Sequence, residues 1–184
     1  MRRILLTVAV ALSVVGTATV ATATSIQYQA TNLPDLPGGG DLWQYDYFPS
    51  GRSFLADQGF AVFFTGNLYS ALQLVSPVPV AWDPLVAQPI PALGSDGYYD
   101  ALALVNNAPL TGPFRVNFVW LGPATVAPSL QRFEVYQLDA LGKPVPFETG
   151  QTAPVGATAV PEPSTLCLLT IGVAVGRAWR RRRH

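Results

Sequence analysis

A catalytic centre needs a nucleophile, a base or a metal, and few of the residues that supply them occur here. The only cysteine is Cys167 and the only histidine is His184, both close to the C-terminal end. From Thr24 to Pro163 there is neither an imidazole nor a thiol. That removes Ser-His-Asp and Cys-His nucleophilic centres from this stretch, along with zinc sites built on those side chains. A disulfide within one chain is excluded by the same count. Carboxylate chemistry remains. Glu134, Asp139 and Glu148 are the acids from which a glycosidase pair would be drawn, but nothing in their spacing sets two of them at a working separation. Asp96-Gly97 with Asp100 offers oxygens for calcium, yet lacks the dense Asp/Asn spacing of a dedicated loop and reads as an Asp-Gly turn. The sequence therefore predicts no catalytic residue, no metal site, no cofactor and no enzymatic activity.

Aromatic side chains are the other group able to bind a ligand, because a flat ring packs on the apolar face of a sugar. Trp43, Tyr45 and Tyr47 recur at period two in LWQYDYF, a spacing that sends them together into a core. Trp82, Tyr98 and Tyr99 instead flank a Pro-rich segment and the turn Gly94-Ser95-Asp96-Gly97. Exposure is expected there. These three are the candidate ligand-binding residues, with exopolysaccharide as the matching partner.

The elements that must position these residues are strands. Apolar and polar residues alternate in SIQYQAT, LWQYDYF, FAVFF, FRVNFVWL and RFEVYQL, while LYSALQLV offers Leu68, Leu72 and Leu74. Turn residues punctuate the runs at Pro37-Gly38-Gly39-Gly40, Pro49-Ser50-Gly51 and Leu121-Gly122-Pro123. No sustained 3.6-residue period appears. The pattern predicts an all-β fold over residues 24–151: an antiparallel β-sandwich of immunoglobulin-like or jelly-roll type, with seven to nine strands. Prolines at 77, 79, 84, 89 and 91 make Ser76–Ala92 an extended loop or an edge segment. Residues 152–159 read as a linker.

The formal net charge is zero, but the charges are segregated. Arg2, Arg3, Arg177, Arg180, Arg181, Arg182 and Arg183 are seven of the eleven basic residues. Between Thr24 and Pro163 four basic residues face eleven acidic ones, 4 − 11 = −7. An acidic body argues against nucleic acid as a partner.

Residues 1–23 have the parts of a secretory signal peptide. Arg2 and Arg3 form the basic start, Ile4–Val15 the apolar run, and Ala21-Thr22-Ala23 the small-residue site for signal peptidase, with the cut expected after Ala23. The secretion machinery is the partner this implies. At the other end, Pro161-Glu162-Pro163 precedes Leu166–Trp179, fourteen residues that are apolar except for Thr170 and Arg177. As a helix they span about 21 Å, short of a hydrocarbon core of about 30 Å. The terminal arginines would stay cytoplasmic and leave the body outside. Pro161 and Pro163 prevent helix continuation upstream and display Glu162 at the membrane boundary.

Pro161-Glu162-Pro163, an apolar transmembrane helix and a closing Arg180–Arg183 together resemble the PEP-CTERM sorting signal of exosortase-processed bacterial proteins, over residues 160–184. The resemblance implies transient anchoring in the inner membrane, cleavage near the motif by an exosortase-type membrane protease, and delivery to the cell surface or extracellular matrix. The helix, shorter than most and interrupted by Arg177, is the departure from the pattern.

Overall fold

Alternating residues become strands because successive side chains of an extended chain point to opposite faces, so one apolar row can be buried whole. A computed structural model of the chain describes residues 23–77 and 79–157. Outside the described residues lie most of the expected signal peptide, with Ala21, and the whole sorting segment: Pro161, Glu162, Pro163, the apolar run and Arg180–Arg183.

Ten strands follow one another in the described body: β1 Ser25–Asn32, β2 Asp41–Ser50, β3 Gln58–Phe64, β4 Tyr69–Leu74, β5 Trp82–Ala87, β6 Gly97–Ala103, β7 Phe114–Trp120, β8 Arg132–Leu138, β9 Pro144–Gln151 and β10 Ala153–Pro154. A single 3₁₀ turn, Pro91–Leu93, is the only helical element among the described residues. The strands form two five-stranded sheets, β10-β1-β2-β7-β4 and β5-β6-β3-β8-β9. β2 pairs with β7 in one sheet and β3 with β6 in the other, a nested winding that jelly rolls share.

Between the sheets lies an aromatic core. Tyr45, Tyr47, Phe114 and Phe118 from the first sheet meet Phe60, Phe64 and Tyr99 from the second, all at most 1% exposed. Phe60 stands edge-on to Phe114 (5.2 Å, 84°), and Phe64 edge-on to Tyr69 (5.1 Å, 87°), so the two sheets are joined by preferred ring geometries. Buried hydroxyls need acceptors. Tyr45 donates to the Ser129 carbonyl at 2.8 Å and Tyr47 to Gln131 Oε1 at 2.5 Å. Gln131 in turn takes the Thr152 hydroxyl oxygen as acceptor for its own N–H, at 2.9 Å.

That last bond corrects the expected boundary at residue 151. Thr152 is buried, and β10 lies parallel to β1 with Ala153 opposite Gln27 and Pro154 opposite Tyr28. Part of the expected linker 152–159 therefore completes a sheet, and the sandwich is antiparallel except along this pair. The Pro-rich segment resolves into an edge: β5 pairs only with β6, where Pro84 costs no central ladder bond. In β4 the expected common face of Leu72 and Leu74 is broken. Ala71 takes a positive φ of 51° at a register shift, so Leu72 is buried while Leu74 is 40% exposed. The Gln88 side chain serves the backbone N–H and C=O of Leu72 at 2.9 and 2.7 Å.

Candidate functional site

The outer face of an antiparallel sheet is ordinarily polar. On the β5-β6-β3-β8-β9 sheet it carries an apolar groove of about 430 Å³. Strand register explains its composition. Leu85, Asp100, Ala61 and Glu134 form one transverse row across β5, β6, β3 and β8; Leu102, Gly59, Tyr136 and Pro146 form another across β6, β3, β8 and β9. Phe63 lies opposite Tyr98 beyond the first row, their ring centroids 6.3 Å apart, and Leu138 and Pro144 close the other end.

Gly59 makes the second row possible. A Cβ there would lie 2.4 Å from Tyr136 Oη and 2.7 Å from the Ala101 carbonyl. With no side chain in the way, the Tyr136 ring lies across β3 and its hydroxyl donates to Asp100 Oδ2 on β6 at 2.9 Å. Burial pushes the Asp100 carboxyl up to about 6; the Tyr136 hydrogen bond pulls it down, and the charge of Asp83 adds to the rise. Tyr136 is itself pushed up by burial and by the neighbouring Asp100 charge. At one rim the Arg132 guanidinium stacks over Phe63 at 3.7 Å and pairs with Glu134. The groove thus presents apolar and aromatic walls with two carboxyl groups, one of them titrating near neutrality.

The hydroxyl of Tyr136 is what keeps Asp100 from titrating still higher. Tyr136→Phe is expected to raise the Asp100 pKa above 6, read by carboxyl-carbon NMR. It is also expected to cost about 2 kcal/mol at pH 7, the usual worth of a hydrogen bond to a charged group.

Of the three aromatic candidates, only Tyr98 reaches the groove, 37% exposed. Trp82 and Tyr99 are 3% and 1% exposed, which corrects the expectation that they are exposed where they flank the Pro-rich segment and the turn. Trp82 begins β5 and packs edge-on against Phe54 and Phe114, its indole N–H held by the Pro109 carbonyl at 3.0 Å. Tyr99 follows Tyr98 directly in β6, and adjacent strand residues face opposite ways. Alternation in GYYDALA carried that information, as it did for Asp100 and Leu102 on the outer face.

The acids considered for hydrolysis are dispersed among different tasks. Glu134 lines the groove; Asp139 accepts from the backbone N–H groups of Leu141 and Lys143 in the β8–β9 turn; Glu148 is held by Thr24 and Arg52. Asp96 borders a smaller cleft with Thr65 and Asn67. Among the described residues no three His, Cys, Asp or Glu side chains converge on a point suited to a metal ion. Nor, among them, is any helix long and apolar enough to cross a membrane.

Tyr136, Phe63, Pro144 and Pro146 were not among the sequence candidates. Their signal was present as the outward rows of FAVFF and RFEVYQL and the two prolines of β9, but only pairing shows that these rows adjoin.

Comparison with solved structures finds a similarity to the cohesin module from Clostridium perfringens ATCC13124 family 33 glycoside hydrolase. The TM-score is 0.39 at 10% identity, covering 72% of this chain and 97% of that one. No curated protein matches the sequence significantly. A family model described as the PEP-CTERM protein-sorting motif matches residues 159–183. With Pro161-Glu162-Pro163 near its start and the arginine block at its end, the chain carries a C-terminal PEP-CTERM protein-sorting motif.

Proposed function

We propose that the chain is a non-enzymatic exported protein, sorted through its C-terminal tail and displayed at the cell surface or in the extracellular matrix. The sorting motif at residues 159–183 carries this reading. In it the protein is the substrate of an exosortase-type membrane protease. Pro161, Glu162 and Pro163 form the recognised turn, Leu166–Trp179 anchors the precursor in the inner membrane, and Arg180, Arg181, Arg182 and Arg183 hold its end in the cytoplasm. The acidic body, without histidine or cysteine, is the cargo.

Replacing Pro161-Glu162-Pro163 by three alanines is expected to leave the tail attached. Intact mass of the protein recovered from its host then includes Arg180–Arg183, whereas the wild-type mass ends near Pro163. A wild-type mass that retains the arginines with the protease present would overturn the sorting reading.

A second reading concerns what the displayed body does. The half-exposed Tyr98 ring beside Asp100 and Glu134 supports carbohydrate binding in the groove, with the ring as platform and the carboxyl groups as acceptors for sugar hydroxyls. On this reading Tyr98→Ala weakens binding to an exopolysaccharide panel roughly threefold to tenfold. Binding unchanged in that variant would move the ligand elsewhere.

A further inference from the structure

Thr24 directly follows the expected signal-peptide cut, and it is held fast. It is 7% exposed, while Ala23 before it is exposed. Its backbone nitrogen donates to Glu148 Oε1 at 2.5 Å and its hydroxyl to Glu148 Oε2 at 2.6 Å. Arg52 reaches Oε2 from the other side at 3.1 Å, its guanidinium lying over the rings of Phe147 and Phe54. Thr24 precedes β1 in one sheet and Glu148 sits on β9 in the other, so the contact staples the two sheets together.

In the precursor that nitrogen is an amide, with one hydrogen to give and no charge. Hydrolysis breaks the Ala23–Thr24 C–N bond. Water supplies the oxygen of the new Ala23 carboxylate, and its two protons, with the original N–H, make the Thr24 nitrogen an ammonium at neutral pH. An ammonium has three donors, and a bond from it to a carboxylate is about twice as strong as a neutral one. We infer that Glu148 is a receptor site for the α-ammonium group released by signal-peptide removal. Processing thereby converts an amide contact, already in place, into an ion pair between the sheets. Arg52 holds the carboxylate in position and shares its charge; Glu148 and Arg52 are the charged side chains the structure shows at this point. The inference rests on the export half of the proposed function, with cleavage after Ala23.

The chain contains one lysine, Lys143, which is exposed in the β8–β9 turn. A mature protein beginning at Thr24 therefore has only two amines, and one serves as an internal reference. The experiment is reductive methylation of the protein recovered from its host at pH 7, followed by peptide mass analysis. The expected result is an N-terminal peptide starting at Thr24, ready labelling of Lys143, and labelling of Thr24 at least about tenfold slower than in the same protein unfolded in guanidinium. Glu148→Gln is expected to restore most of the lost reactivity. A mature chain that starts at another residue overturns the cleavage placement, and the inference with it. A chain starting at Thr24 whose amine reacts as fast folded as unfolded overturns the docking alone, and so does equal protection in wild type and a folded Glu148→Gln. Should that variant not fold, the folded-against-unfolded comparison of the wild type decides.

Discussion

Phe60→Ala is expected to destabilise the body by about 3–5 kcal/mol, the range for removing a buried aromatic ring. Phe60 is fully buried on β3 and stands against Phe54, Trp82, Tyr99 and Phe114, with centroids 5.2–6.3 Å away. Those neighbours come from four different places in the chain, and each is fixed by its own strand or loop. They are poorly able to collapse into the space, so the cavity term adds to the lost transfer energy. Chemical denaturation would show a lower midpoint with an unchanged slope. Phe63→Ala is the control on the same strand. Its ring faces the groove and is partly exposed, so a loss well below that of Phe60→Ala is expected. Equal losses would mean that the assigned inner and outer faces of β3 are wrong.

Asp100→Asn is expected to stabilise the body at pH 7. Burial raises the folded-state pKa of Asp100 from 3.8 to about 6. Between those values the folded protein binds the proton more tightly than the unfolded chain does. This carboxyl group therefore favours folding most at low pH, and its contribution falls as pH rises from about 4 through 6. Above that window the ionised group costs about 3 kcal/mol relative to its neutral form. Asparagine keeps an oxygen to accept from Tyr136 and has no charge to desolvate. The variant should gain stability of that order at neutral pH and show a flatter profile between pH 4 and 7. Denaturation midpoints of both proteins across that range test it; parallel profiles would remove Asp100 as the titrating group.

The inward face of the body was legible because period two leaves little choice: Phe114, Val116, Phe118 and Trp120 of FRVNFVWL all proved buried, as did Tyr45 and Tyr47. Trp82 and Tyr99 lie inside because alternation within their own strands outweighs their proximity to prolines and glycines. The groove was harder to read. Tyr136 opposes Gly59 and Gly59 opposes Leu102 only through pairings between residues far apart in sequence. Short strands bounded by turns do not encode their neighbours locally. The same limit hid β10, whose two residues have no pattern of their own and become a strand only because β1 offers an open side. The sorting motif was legible for the opposite reason: its features lie consecutively in the sequence.

The position of β10 also fixes where the described chain enters and leaves the body. The chain leaves beside its own beginning: Val155 donates to the Tyr28 carbonyl, and the Ala157 carbonyl accepts from Gln27. Strand β9 runs from the groove, at Pro144 and Pro146, to the crossover at Gln151, a length of about 20 Å at the usual rise of an extended chain. The described chain thus enters and leaves the body at one corner, where β1 and β10 lie side by side.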